Sequence, residues 1–202
     1  MKENYSTLCE NILNSLNGKK KLLLHSCCGP CSSYVISYLT NYFDITILYY
    51  NPNIYPYEEY LKRKEEQIKL IKEIDKINNV DILDCDYDNN IYNEKIKGLE
   101  NEPERGKRCW YCYQMRIEKT AKLAKDNNYD YFCTTLSVSP FKNSLWINEI
   151  GKDLEGKYNV KWLYSDFKKK DGYKKSIELS KQFNLYRQNY CGCIFSKKQI
   201  AK

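Results

Sequence analysis

The sequence predicts an α/β protein built on a parallel sheet flanked by helices. Three observations carry that expectation. Short apolar runs at 21–25, 45–50 and 80–83 alternate with stretches whose apolar residues recur at helical spacing. Strand–helix–strand units of this length call for crossover connections, which are right-handed in a parallel sheet. The first apolar run also breaks into a tight Ser26-Cys27-Cys28-Gly29-Pro30-Cys31 loop that leads directly into a helical pattern, as a strand-to-helix turn does.

Taken in order, residues 1–18 read as a polar amphipathic helix ending near Gly18, with Leu8, Ile12 and Leu16 on one stripe. Lys21 to His25 is the first strand, and Val35, Ile36, Leu39 and Tyr42 mark the helix after the cysteine loop. Ile45 to Tyr50 forms a second strand, closed by Asn51-Pro52-Asn53. A long helix is expected over 57–78, with Leu61, Ile68, Ile71, Ile74 and Ile77 inward and Glu58, Glu59, Lys62 and Arg63 on the solvent face. Val80 to Leu83 is a third strand, opening onto the acidic loop 84–88. Pro103 and Gly106 mark a loop, and a helix over 108–127 packs through Tyr113, Ile117, Ala121 and Ala124. Tyr131 to Thr135 is a fourth strand, Ser137 to Pro140 a break, Asn143 onward a helix, and Val160 to Leu163 a fifth strand. The C-terminal third turns basic and less periodic, and reads as helical decoration. With no repeat and no linker, residues 1–202 are expected to form one domain.

Hydrophobic residues make up 42% of the 202, enough for a real core, and 20 of them are tyrosines. The N-terminus has no apolar region of a secretory signal, and no run reaches the roughly 18 residues of a membrane span. A cytoplasmic location without membrane attachment is therefore expected. In that compartment ten cysteines point to metal binding or redox chemistry rather than to a disulfide framework. A net charge of +7 favours a polyanionic partner, against the plainer reading of a charged, soluble surface.

The cysteines fall into groups. Cys27, Cys28 and Cys31 occupy the first strand-to-helix loop, and Cys85 follows the third strand. Cys109 and Cys112 stand at i and i+3 at a helix start, where thiols share a side and the thiolate is favoured. In parallel sheets such loops converge on one rim. Four thiolates suit a 4Fe–4S cluster or a zinc ion; adjacent cysteines embedded in an α/β core favour the polynuclear cluster. Cys31 and Cys85 lie near enough to join either. Cys191-Gly192-Cys193 permits a tight turn, either as a reducible pair relaying electrons or as two more metal ligands. Cys9 and Cys133 read as inert packing. His25 is either a hydrogen-bonded core residue or, in the sharper reading, a proton donor or partner of a metal ligand.

The stretches LLLHSCCGPCSSYVISYL, GLENEPERGKRCWYCYQMRIEKTAKLAK, TTLSVSPFKN and YRQNYCGCIFS together resemble the cobalamin-independent epoxyqueuosine reductase family, over about residues 20–196. The resemblance implies a Rossmann-like, nucleotide alpha-hydrolase-like core. It also implies reduction of epoxyqueuosine to queuosine in the wobble position of tRNA, the last step of queuosine synthesis, with electrons from an external donor. Carried over by position, Cys27, Cys28, Cys109 and Cys112 would ligate a 4Fe–4S cluster, and Cys191 and Cys193 would be the redox-active pair. The family also places an additional mononuclear iron beside its cluster, with Asp86 as a candidate ligand. One departure is Ile91, where the family pattern is expected to carry Trp.

Deoxygenating an epoxide needs two electrons and two protons, and His25, Asp86 and Tyr111 are unranked candidates for the acid. Arg105, Lys107 and Arg108 are candidate tRNA-phosphate contacts, and Lys168, Lys169 and Lys170 form a second basic run. Two other readings compete. The cysteine loop occupies the place of the phosphate loop in ATP-dependent tRNA-thiolating enzymes, although cysteines stand where those carry glycine and aspartate. A zinc-stabilised RNA-binding module without catalysis is the second.

Overall fold

The computed structural model describes residues 3–200. Its centre is one five-stranded parallel sheet in the order β3-β2-β1-β4-β5, with strands β1 (Lys20–His25), β2 (Phe43–Tyr49), β3 (Val80–Asp84), β4 (Tyr131–Thr134) and β5 (Lys161–Trp162). The α/β, Rossmann-like class is therefore as expected. Leu22, Leu23, Leu24, Phe132 and Cys133 are fully buried, because a parallel sheet is covered on both faces and its strands read as unbroken apolar runs.

Helices α1 (Tyr5–Asn14), α2 (Gly29–Leu39), α3 (Tyr57–Glu73), α4 (Asn89–Lys95), α5 (Lys107–Asp126), α6 (Ser144–Tyr158), α7 (Gly172–Gln182) and α8 (Ile194–Ile200) surround the sheet. The side chains of Asn4 and Asn143 accept backbone N–H groups at the starts of α1 and α6, satisfying donors that a helix start leaves free. α2 begins with Pro30 in its first turn, where a missing N–H costs nothing. A Cβ on Gly29 would come within 2.9 Å of the Glu66 carbonyl oxygen, so glycine lets α2 begin hard against α3.

Three expectations need correction. α1 ends at Asn14 rather than near Gly18, and α3 ends at Glu73, five residues short of its expected end. The inward face of α3 is only partly as expected: Ile71 is buried, as is Ile74 just past the helix end, but Leu61 is exposed, Ile77 lies exposed beyond the helix, and Arg63, expected on the solvent face, is buried together with Gln67, because their polar groups find partners inside. The basic C-terminal third contains α7, which packs against α2.

The strand order reverses between the paired strands β1 and β4: from β1 the chain moves outward to β2, and from β4 it moves the other way to β5. A crevice opens at such a switch point, beyond the carboxyl ends of the strands, and ligands bind there. The loop after β1 carries Cys27 and Cys28; the segment after β4 runs through a 3-10 turn (Thr135–Val138) to Lys142. Among the described residues no helix is long and apolar enough to cross a membrane.

Candidate functional site

The cysteine loop is fixed from below by a buried polar network. Ser26 and Ser32 hydroxyls both donate to Gln67 Oε1, at 2.6 and 2.7 Å, and Asn51 Nδ2 donates to the Ser26 carbonyl at 2.8 Å. Buried hydroxyls and amides that satisfy one another rigidify what they hold. His25 belongs to this frame: Nδ1 meets the Thr134 hydroxyl at 2.8 Å and Nε2 meets the Tyr50 carbonyl at 3.1 Å. The carbonyl requires N–H on Nε2, which leaves Nδ1 of the neutral ring to accept the Thr134 hydroxyl, and the two bonds tie β1 to its neighbours. Burial and the nearby Arg116 charge hold its pKa down to about 3. A neutral, doubly bonded imidazole is a structural pin rather than an acid near neutral pH.

Above that frame the sulfurs of Cys27, Cys28 and Cys31 lie within 4.8 Å of one another, with Cys27 and Cys28 3.8 Å apart. Hydrogen bonds from Cys27 and Cys31 hold Cys28 well below the ordinary thiol value, helped by Arg63 and Gln188 against desolvation. Gln188 Nε2 donates to Cys28 Sγ at 2.9 Å. The same thiol contacts push Cys31 well above that value. One thiolate is thus stabilised by two thiols. Such a group could hold a metal, which would displace the remaining protons.

Cys109 and Cys112 form a second group on the first turns of α5, facing Cys191 and Cys193. Burial raises Cys109, and pushes Cys112 up to about 12. Cys109 Sγ accepts the Arg105 N–H at 3.3 Å, and Cys193 Sγ accepts the Ser196 N–H at 3.4 Å. The Cys191-Gly192-Cys193 turn needs Gly192, whose φ is +123°. Arg63 fastens this turn, donating to the Cys191 and Tyr190 carbonyls at 3.2 and 3.4 Å while paired with Glu59 at 2.7 Å.

Arg116 joins the two groups. It lies one turn beyond Cys112 on α5, its side chain fully buried, with Nε donating to the Cys112 carbonyl at 3.0 Å and Nη2 unpartnered. Among the described residues it has no carboxylate partner. The charges around it are the sulfurs of Cys112, Cys191 and Cys27. A permanently charged, buried guanidinium calls for a buried anion. Thiolates, or an anionic metal–thiolate centre, are what these surroundings provide, so the residues present fit a metal–sulfur group.

A cavity of about 320 Å³ opens onto these sulfurs. Cys27, Cys31 and Cys191 reach its wall with Lys142, Gln188 and Tyr190, and Phe141 stands at its edge.

Other expected residues lie elsewhere. Arg108 is buried and its Nη1 donates to the carbonyls of Leu99, Glu100 and Glu102, so it locks a turn and is not presented to a phosphate. Arg105 and Lys107 are exposed, and the Arg105 guanidinium lies 5.3 Å over the Phe141 ring. Asp86 is exposed, outside the converging thiols, and Cys85 is half-buried beside Asp84 and Lys119. Tyr111 lies partly exposed against Trp110. Cys9 and Cys133 are buried packing residues. In the second basic run Lys168 pairs with Asp166 and the exposed Lys170 pairs with Glu10, and Lys169 is exposed as well. Sequence reasoning missed Lys142, Gln188 and Arg116. All three fall within the stretches that carry the family resemblance, and Arg116 also stands four and seven residues from Cys112 and Cys109.

A family model described as epoxyqueuosine reductase QueH matches residues 22–199. An epoxyqueuosine reductase QueH of Staphylococcus epidermidis is 43% identical, over 96% of this chain and 85% of that protein. Proteins of the same name from Streptococcus pyogenes and Thermotoga maritima are 42% and 38% identical, over 89% and 87% of this chain and 71% and 89% of theirs. With a matching model across nearly its whole length and relatives of this similarity, the chain belongs to the epoxyqueuosine reductase QueH family.

Proposed function

We propose that this chain is an iron–sulfur oxidoreductase that reduces epoxyqueuosine to queuosine in the wobble position of tRNA. The observation that carries the reading is the cavity at the switch point, where sulfurs from two separate groups share one wall. Its volume, about 320 Å³, suits one small organic group. A modified base must therefore leave the anticodon loop to enter it, as bases do for enzymes that act on them.

Cys27, Cys28, Cys109 and Cys112 are the ligands we assign to a 4Fe–4S cluster. For an additional mononuclear iron, Cys31 is a nearer donor than the exposed Asp86. Bound there, such a centre passes electrons singly, and an iron with an open position polarises an oxygen as a Lewis acid. Arg116 balances the thiolate charge from within the protein. Gln188 and Arg63 orient Cys28 and the Cys191 turn. Cys191 and Cys193 act as a redox pair refilled by an external electron donor.

Outside the cavity, Arg105 and Lys107 meet anticodon-loop phosphates, and exposed Phe141 offers a face for a neighbouring base to stack on. The reaction takes place in the cytoplasm. Cells lacking their own epoxyqueuosine reductase carry epoxyqueuosine in their tRNA. Expression of this chain should replace it with queuosine, and the Cys28→Ala chain should not. Persistent epoxyqueuosine in cells that make the folded, iron-loaded protein would refute the reading.

A further inference from the structure

Glu104 is the only carboxylate among the described residues that line the cavity. Its side chain is a third exposed, and its Oε1 stands 4.0 Å from Lys142 Nζ, beyond hydrogen-bond distance. Lys142 donates instead to Cys191 Sγ at 2.9 Å. Arg187, the other cation of the wall, donates to the Ser176 carbonyl and the Ser180 hydroxyl. Among the described residues no hydrogen bond reaches the Glu104 carboxylate.

The turn that presents this free carboxylate is nevertheless firmly held. Arg108 Nη1 gathers the carbonyls of Leu99, Glu100 and Glu102. The Gly106 N–H donates to the Pro103 carbonyl at 3.1 Å, and the Lys107 N–H to Glu102 Oε2 at 3.1 Å. Arg105, directly after Glu104, has φ +71°, a left-handed conformation that a non-glycine residue keeps only where its surroundings impose it.

We propose that Glu104 binds the secondary ammonium of epoxyqueuosine, which selects the modified base and aims its epoxide at the sulfurs of the cavity wall. The inference rests on the reductase reading above. A carboxylate disfavours a polyanion unless a cation meets it, and unmodified RNA brings none. Epoxyqueuosine brings one, because the nitrogen linking its 7-deazaguanine to its cyclopentane ring is a secondary amine, cationic near neutral pH. A carboxylate has two oxygens and accepts from more than one donor, so Lys142 does not exclude it. The distances agree. Lys142 Nζ reaches both groups, so Glu104 Oε1 and Cys191 Sγ lie no more than about 7 Å apart. An ammonium donates to a carboxylate at about 2.8 Å. One ring carbon separates that nitrogen from the nearer epoxide carbon, so roughly another 2.5 Å carries the epoxide toward the sulfurs. The Watson–Crick edge lies on the far side of the base from this linker. Seated on Glu104, it would hold the epoxide away from them.

Binding without turnover tests the proposal. Iron-loaded protein, with no electron donor, is titrated with three anticodon stem–loop RNAs that differ only at the wobble base. One carries epoxyqueuosine, one its analogue with a methylene in place of the linking amine, and one guanine. Wild-type protein should bind the amine RNA about ten- to a hundredfold more tightly than the methylene RNA, the size of one charge-assisted hydrogen bond. Glu104→Gln removes the charge and breaks no hydrogen bond of the fold. It should bind those two RNAs alike, and keep its hold on the guanine RNA, its iron content and its melting temperature. Equal binding of the amine and methylene RNAs by the wild type, or an undiminished preference in Glu104→Gln, overturns the proposal. Equal weakening of all three RNAs by Glu104→Gln would assign the carboxylate to the base edge, and overturns it too. Failure of the reductase reading looks different: the wild type would prefer the amine RNA yet leave epoxyqueuosine unconverted once a donor is added.

Discussion

Replacing Gly192 by alanine perturbs the turn between Cys191 and Cys193 while removing no polar group. Gly192 sits at φ +123°, where a side chain costs of order 1–3 kcal/mol. An added Cβ would lie 3.0 Å from Arg63 Nη1 and 3.0 Å from Ile54 Cγ1, and overpacking a tight interior adds about 1–3 kcal/mol. Neither neighbour moves freely. Ile54 is buried, and Arg63 is held by Glu59 and by two carbonyls of the turn itself. The sum is roughly 2–6 kcal/mol, a large share of the roughly 5–15 kcal/mol that stabilises a folded protein. Gly192→Ala should fold but melt lower by about 4–24 °C, at about 2–4 °C per kcal/mol for a chain of this size. The same chemical change at Gly156, exposed on α6 with nothing within 4 Å of the new Cβ, should raise stability by about 0.5–1 kcal/mol. Thermal melts followed by circular dichroism compare the two directly. Equal melting temperatures for Gly192→Ala and the wild type would refute the strain argument.

Three further outcomes follow from the site. His25 is the only histidine, so its ring signals in nuclear magnetic resonance of the metal-free protein identify themselves. They should not titrate between roughly pH 8 and 5, where a free imidazole would. Its folded pKa of about 3 lies below the reference 6.5, so its contribution to stability is full above about pH 6.5 and is lost as pH falls toward 3. Arg105→Glu should weaken tRNA binding and flatten its salt dependence, whereas Arg108→Ala should lower the melting temperature and leave the salt slope alone; equal effects on binding would contradict the burial of Arg108. Arg116→Met removes the buried counter-charge, and iron and sulfide per chain should fall at least tenfold, while Cys133→Ala retains both; full retention by Arg116→Met would remove Arg116 from the account.

The sheet was legible because parallel strands buried on both faces leave apolar runs, and the cysteine loop was legible because it interrupts the first of them. α7 was not. Its buried residues are Gly172, Ser176 and Ser180, small groups that allow close approach to α2 and leave no apolar stripe in the sequence. The position of Arg63 was hidden for a different reason. Its partners include the carbonyls of Tyr190 and Cys191, far away along the chain, and a charged residue with such partners looks like a surface residue until they are known. Cys27 and Cys28 stood out by composition, but their grouping with Cys31 depended on how the loop turns into α2. Beyond its place in a stretch that carries the family resemblance, Lys142 had no local signal, since its meaning comes from Cys191 across the cavity.

The central claim is tested most directly by nucleoside mass spectrometry after a single turnover with purified components. Anaerobically isolated, iron-loaded protein with its thiols reduced is mixed with tRNA carrying epoxyqueuosine, with no other enzyme present. Queuosine should appear in proportion to the protein added, while protein stripped of iron produces none. Epoxyqueuosine that stays unconverted while iron, sulfide and tRNA binding are all intact would contradict it.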